Sequence, residues 1–289
     1  MKILVTGSEG QLGKSLQKLA PEYNHMEFTW TDIHNLDITD HKRLEQIFSD
    51  RHFNYIINCA AYTAVDKAEE EPEIAHILNV EAPGNLARMA TRYGIVLIQI
   101  STDFIFDGSK KEPYIETDIP KPNGIYAASK YRGEQEVMKY SNKSIVIRTS
   151  WLYSEFGKNF VKTILHYAKE REFLKVVHDQ IGSPTYATDL AKALLTMLDT
   201  KYKPHTNEIF HYSNRGIISW FDFAIAIVSL AGIDCQVYPI STEEYNAPAP
   251  RPSYSAMSQE KIMKKFALTI PNWEDSLKKC LEILKNQTI

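Results

Sequence analysis

Cysteine is scarce in this chain of 289 residues: there are three, Cys59, Cys235 and Cys280, odd in number and scattered. That excludes a disulfide framework, and no close pair offers a zinc or redox motif, so they read as reduced thiols. Net charge is scarce too. A formal charge of -3 leaves no basic footprint for nucleic acid or an anionic membrane surface, although one local site could still take a small anion. No apolar run approaches the length of a membrane span. The N-terminus carries one basic residue and then only Ile3-Leu4-Val5-Thr6 before glycine, too short for a signal-peptide core, so the expected location is cytoplasmic. Internal repeats and low-complexity tracts are also missing.

What is present is an ordinary globular make-up, 44% hydrophobic and 24% charged, long enough for one large domain or a domain and a half. Residues 2–6 form an apolar strand pattern ending at Gly7, and Gly7-Ser8-Glu9-Gly10-Gln11-Leu12-Gly13 leads into a helical stretch over 14–20. A strand, a glycine turn and a helix N-terminus let backbone amides approach a pyrophosphate closely. The G-x-x-G-x-x-G spacing differs by one residue from G-x-G-x-x-G. Gly13-Lys14-Ser15 resembles the end of a P-loop, but that motif needs glycine where Ser8 stands, which counts against it.

A strand over 27–31 runs into Asp32, nineteen residues beyond Gly13, near where a ribose-binding acid is expected. A plain loop aspartate is the alternative. Asp32 favours NADH, while Thr31 and His34 could tolerate a 2'-phosphate, so NADPH and NADH both stay open. Leu36-Asp37-Ile38-Thr39-Asp40 opens a helix to about residue 50, capped by Thr39 or Asp40, with Asp37 facing an adenine amine or serving as a turn residue. The strand pattern over 54–61 ends in the small residues Ala60 and Ala61, where a cofactor backbone could pass. A polar segment over 62–69 and a helix over 73–93 lead to a strand over 95–100, with Thr102 at its end as a rim hydroxyl or a cap.

A helix then runs to about residue 140, and a strand over 144–148 reaches the rim again at Trp151. A helix over 159–171, a strand over 173–177, a helix over 188–198 and a strand over 208–212 follow, and shorter helices near 220–230, 258–265 and 272–285 close the chain. The alternation predicts a doubly wound parallel α/β sheet of Rossmann type. The expected division is a dinucleotide-binding domain over 1–155, with 173–213 returning to it. A smaller, mainly helical substrate lobe takes 214–289 together with 156–172.

Tyr126-Ala127-Ala128-Ser129-Lys130 carries chemistry. Residues four apart share a helix face, so the phenol and the ammonium point into the same space, and a fixed cation should draw the tyrosine pKa down towards the working pH. The spacing alone is weak, since with sixteen tyrosines about one Tyr-x-x-x-Lys arises by chance, and a solvated helix face is the plain alternative. Context changes that. The glycine turn, Thr102, Tyr126 and Lys130 all fall on the carboxyl rim of one sheet or the helix beside it.

These stretches, with Ala60-Ala61-Tyr62-Thr63-Ala64-Val65-Asp66-Lys67-Ala68-Glu69, Ser101-Thr102-Asp103-Phe104, Ser150-Trp151, Asp179-Gln180-Ile181-Gly182-Ser183-Pro184-Thr185 and Arg251-Pro252, resemble the extended short-chain dehydrogenase/reductases. Among them, the chain is similar to the dTDP-4-dehydrorhamnose reductase family over nearly its whole length. The resemblance implies reduction of the 4-keto group of a dTDP-sugar by NADPH or NADH. Tyr126 is then the general acid, Lys130 lowers its pKa and holds the nicotinamide ribose, and Thr102 bonds the carbonyl oxygen. It also implies cofactor contacts at Gly7, Gly10, Gln11, Leu12, Gly13, Asp32, Asp37, Ile38, Ala60, Ala61 and Tyr62. Substrate contacts fall at Val65, Asp103, Phe104 and Trp151, with Arg251 for the diphosphate. Phe104 stands where the family often has tyrosine, which removes one hydroxyl contact and leaves packing. Some relatives hold magnesium through glutamates at a dimer contact; no such acidic cluster is visible here, so no metal is expected and a homodimer is left open. A different sugar-nucleotide enzyme of the same superfamily, such as a 4-epimerase or a reductase for another base or sugar, and a non-catalytic dinucleotide-binding regulatory subunit are the competing readings.

Overall fold

A computed structural model describes residues 1–287 of the chain. Six parallel strands form the central sheet: β1 (Lys2–Thr6), β2 (Glu27–Thr31), β3 (Tyr55–Asn58), β4 (Val96–Thr102), β5 (Ser144–Thr149) and β6 (Glu208–Tyr212), in the order β6-β5-β4-β3-β1-β2. The order reverses between β1 and β3. In such a sheet ligands bind in the crevice at that reversal, beyond the carboxyl ends of the strands. Ile3, Leu4, Ile56, Ile57, Leu97, Ile98, Val146 and Ile147 are all buried, as near-continuous apolar strands covered on both faces should be.

One face of the sheet packs against the helices Gln11–Leu19 and Ala187–Asp199. The other packs against His41–Asp50, capped by the Asp40 carboxylate, and Ala82–Tyr93. The helix Gln11–Leu19 begins three residues earlier than the pattern predicts, so Gln11, Leu12 and Gly13 form its first turn. The helix expected over 73–93 is interrupted: Pro72–His76 and Ala82–Tyr93 flank a π-turn, Ile77–Glu81. Such turns insert an extra residue and redirect side chains. Here the turn buries Asn79.

Beyond the sheet, the helices Phe160–Glu170, Trp220–Ala231 and Trp273–Gln287 share a separate core with Tyr153, Leu174 and Val176. The stretch expected to return to the large sheet behaves in two ways. Ala187–Asp199 and β6 join it, whereas Phe173–Val177 pairs in parallel with Gln236–Ile240, a strand the pattern did not reveal. Glu260–Phe266, assigned by position to the small lobe, instead packs Ile262 and Phe266 into the core of the large sheet. The second lobe, mainly helical, therefore also carries a small parallel pair of strands. We propose that its functional boundary follows its own core rather than the order of the chain.

Candidate active site

The glycine turn follows β1 directly. Gly7 has φ +66, and a Cβ there would stand 2.5 Å from the Ala60 amide nitrogen at the end of β3, so only glycine lets the turn close against that strand. No side chain among the described residues caps the helix Gln11–Leu19, whose N-terminus therefore faces the cleft with free amides and the positive end of its dipole. Gln11 ties this turn to the second lobe: its side-chain oxygen accepts from Ser154 Oγ at 2.9 Å and Asn159 Nδ2 at 3.0 Å.

Gly7, Gly10, Gln11, Leu12, Ala61, Val65, Thr102, Asp103, Phe104, Tyr126, Lys130, Trp151 and Arg251 line one cleft of about 700 Å³. Six expected residues lie outside that lining. Gly13 sits in the first helical turn behind it. Asp32 accepts a hydrogen bond from the Glu9 amide at 2.9 Å and so braces the glycine turn from β2. The Asp37 carboxylate is taken by the amide and hydroxyl of Thr39, the turn alternative of the sequence reading. The Ile38 side chain is in the core, leaving only its backbone for a ligand. Ala60 forms the wall met by Gly7. Tyr62 is held at both backbone groups by Asn79, at 2.9 and 3.0 Å, while its hydroxyl donates to Glu71.

The catalytic-type helix, Ile125–Tyr140, is fixed at its start from the segment over 62–69. That segment contains a short helix, Val65–Ala68, followed by Glu69, whose carboxylate accepts from the Ile125 amide at 2.7 Å. Asp66 in the same helix pairs with Arg251 at 2.8 Å, and the guanidinium holds its carboxyl below the usual range. The Ala-Val-Asp-Lys-Ala-Glu stretch thus clamps the active helix with one acid and the Arg251 segment with the other. Arg251 is both an ion-pair partner and a cleft residue.

Tyr126 is 9% exposed and meets the edge of Phe104 at 5.7 Å between ring centroids. Burial pushes its phenol up to about 12, against a hydrogen bond with Thr102 that pulls the other way. The expectation that Lys130 draws Tyr126 down is therefore corrected: removal from water dominates, and the phenol stays protonated across the working range. Lys130 is itself brought down to about 8 by burial, offset in part by the negative charge of Glu134. Its ammonium donates to the Ile100 carbonyl at 2.8 Å, which points it into the cleft from β4.

That carbonyl is the end of a ladder the sequence did not reveal. Thr6 Oγ1 donates to Asn58 Oδ1 at 2.6 Å, Asn58 Nδ2 to Gln99 Oε1 at 2.7 Å, and Gln99 Nε2 to the Ile100 oxygen at 2.9 Å. The ladder crosses β1, β3 and β4 beneath the glycine turn. Buried polar groups are stable when every member is paired, and such networks rigidify what they hold. Ser101 Oγ, by contrast, is buried with no partner among the described residues, and Ser101 lines the cleft.

Thr102 accepts from the Phe104 amide at 3.2 Å and donates to Asp103 Oδ1 at 3.2 Å, so it caps the short turn Asp103–Ile105 as well as facing Tyr126. Burial pushes the Asp103 carboxyl up to about 6. On the opposite wall Trp151 holds φ +46 and stacks on Trp220 at 3.7 Å, 11° from parallel. A second pocket of about 570 Å³ shares Phe104, Phe160, Trp220 and Arg251 with the cleft and adds Arg171, Lys175, Tyr167 and Tyr245. Asn79, Gln99, Phe160 and Trp220 had no motif to mark them; only position in the fold reveals them.

The free helix amides, the close approach that only Gly7 permits and the unpaired Ser101 hydroxyl fit a bound dinucleotide. Fold and site together define a nicotinamide-dependent reductase of the extended short-chain class. Residues 1–286 match the family model described as RmlD substrate binding domain, and the chain belongs to that family. A dTDP-4-dehydrorhamnose reductase from Aggregatibacter actinomycetemcomitans is 40% identical over 96% of this chain and 97% of its own. A solved dTDP-4-dehydrorhamnose reductase from Clostridium acetobutylicum superposes with TM-score 0.93 at 42% identity, covering 99% of this chain and 100% of that one. The Bacillus anthracis enzyme of the same name, solved in complex with NADP, gives 0.92 at 41% identity, covering 98% and 99%.

Proposed function

We propose that this chain reduces the 4-keto group of dTDP-4-dehydro-β-L-rhamnose to give dTDP-L-rhamnose, with NADPH as the reductant. The observation that carries the reading is the convergence of Thr102, Tyr126 and Lys130 on one cleft with the glycine turn. When bound, the reduced nicotinamide supplies the hydride for the carbonyl carbon.

As hydride arrives, negative charge builds on the sugar oxygen, and the protein's task is to meet that charge with fixed donors. Tyr126 is the proton source. A phenol held near 12 by burial is always loaded at neutral pH, which suits the reductive direction. Thr102, beside that phenol, would turn its single hydroxyl proton from Asp103 to the same oxygen. The Lys130 ammonium, fixed on the Ile100 carbonyl, supplies the positive field and a donor for the ribose side.

The proposed cofactor contacts are Gly7, Gly10, Gln11, Leu12 and Gly13 for the pyrophosphate. Asp32, Asp37 and the Ile38 backbone lie towards the adenosine, and Ala60, Ala61 and Tyr62 beside the nicotinamide half. On the substrate side, Val65, Asp103, Phe104 and Trp151 surround the sugar. The adjoining pocket supports the nucleotide, with Arg251, Arg171 and Lys175 for the diphosphate and aromatic rings for the base. No helix among the described residues is long and apolar enough to cross a membrane, consistent with a soluble nucleotide-sugar substrate. We keep a cytoplasmic location and a homodimer as proposals. Steady oxidation of NADPH at 340 nm on adding the 4-keto sugar nucleotide, with dTDP-L-rhamnose as product, tests the function. A tightly held NAD surviving purification, with epimerised product, would instead favour an epimerase.

A further inference from the structure

Behind the cleft lies a buried cluster that the reaction as described does not use. Glu134 is 1% exposed and Arg148, on β5, is 2% exposed. Arg148 grips the carboxylate with Nε at 3.0 Å from one oxygen and Nη2 at 2.8 Å from the other. Its remaining nitrogen, Nη1, lies 3.4 Å from His211 Nε2 on β6, and His211 Nδ1 reaches the Tyr114 carbonyl at 3.1 Å. Burial and the nearby Arg148 hold that imidazole neutral, at about 3, so it adds no charge of its own. The Glu116 carboxylate accepts from the His211 amide at 3.1 Å on the far side.

A buried ion pair of this kind is a poor source of stability, because the cost of removing two charges from water rivals their attraction; an apolar pair of the same volume would pack as well. Its position suggests another use. Tyr126, Lys130 and Glu134 stand four residues apart on Ile125–Tyr140, one face of one helix. Lys130 shares its helix face with Tyr126 and Glu134, and is met by Cys59 beyond β3 and by the Ile100 carbonyl of β4. Of these, Cys59 is held as a neutral thiol by burial, pushed up to about 12. Glu134 is the carboxylate one turn away whose charge acts directly on the ammonium.

We propose that Glu134, clamped by Arg148, is a positioning residue for this reaction: its fixed negative charge keeps Lys130 an ammonium inside a dry site. The inference rests on the reductase reading. Arg148 orients the carboxylate through two hydrogen bonds, and His211 and Phe106, whose ring centroid lies 5.5 Å from the guanidinium carbon, keep Arg148 in place. Without Glu134, burial, the largest influence on Lys130, favours the neutral amine unopposed by that carboxylate.

The test compares wild type, Glu134→Gln and the double variant Glu134→Leu/Arg148→Met, which exchanges the pair for apolar volume and guards against a simple folding defect. Two profiles are read across pH 6–10: kcat/KM, and NADPH affinity by fluorescence without substrate. Wild type should lose both above pH of about 8, where Lys130 titrates. In both variants the alkaline limb should move to lower pH by about one unit or more. A double variant that melts like wild type and keeps the wild-type limb in both profiles would overturn the proposal and leave the pair purely structural. Wild-type protein that binds NADPH with this limb but never turns over the 4-keto sugar would count against the reductase reading while leaving the role of Glu134 standing.

Discussion

The indole of Trp151 occupies the space where Gly182 has no side chain: a Cβ there would stand 2.7 Å from the ring atoms Cε2 and Cζ2. Trp151 is in the left-handed region, a costly backbone state for a bulky residue, and is held there by this contact and by stacking on Trp220. The Asp-Gln-Ile-Gly-Ser-Pro-Thr segment is therefore a seat for the wall of the cleft. Gly182→Ala should push the indole out of place and raise KM for the nucleotide sugar about tenfold, or 1.4 kcal/mol, with NADPH affinity unchanged. Steady-state kinetics alongside a cofactor titration checks this, and a rise confined to the cofactor would refute it.

Asp103 predicts a pH-dependent stability. Its folded pKa is raised by burial from 3.8 to about 6, so between those values the native state binds more protons than the unfolded one. The contribution is fully present below pH 3.8 and is lost as pH rises through about 6. Asp103→Asn, which cannot ionise, should remove that segment of the melting-temperature profile and melt higher than wild type at pH 7. Identical profile shapes for the two proteins between pH 4 and 7 would contradict the burial account.

Arg251 spans the two pockets while bonded to Asp66 at 2.8 Å. Removing a charged hydrogen-bonding group from an anion site costs about 1.5–3 kcal/mol, so Arg251→Met should raise KM for the dTDP-sugar about 10- to 100-fold. Little change in kcat is expected, since the group lies away from the reacting carbon. A competition titration with dTDP alone should lose a similar factor, and unchanged dTDP affinity would return Arg251 to a purely structural ion pair.

Much of the sheet was legible in the sequence because parallel strands buried on both faces write themselves as unbroken apolar runs. All six strands and the helix Ile125–Tyr140 stand where the pattern predicts them, to within a few residues at the ends. Strand Gln236–Ile240 was not legible, because its pattern is half exposed and carries Pro239 within it, a residue that ordinarily argues against strand. The pairing of Phe173–Val177 was hidden because which sheet a strand joins depends on a partner elsewhere in the chain.

The site divided similarly. Glycines and the Tyr-x-x-x-Lys spacing announce themselves locally, so Gly7, Tyr126 and Lys130 could be singled out and do meet in one cleft. Gln99, Asn79 and Glu134 could not, since a buried amide or acid looks like any other until its partners arrive. The direction of the Tyr126 shift was misread because spacing reveals the charge four residues away but not the depth of burial, and burial is the larger influence here. Asp37 and Ile38 show the converse limit: family position marked them, while their side chains are spent on a turn and on the core.

Tyr126→Phe is the most direct measurement, because it removes one hydroxyl from a ring whose packing against Phe104 it leaves intact. With NADPH and the 4-keto sugar nucleotide, kcat should fall about 10²- to 10⁴-fold, the usual loss for a general acid, while the NADPH dissociation constant stays within about a factor of two. Turnover within a few-fold of wild type would contradict the assignment of Tyr126 as proton donor and, with it, the account of the site.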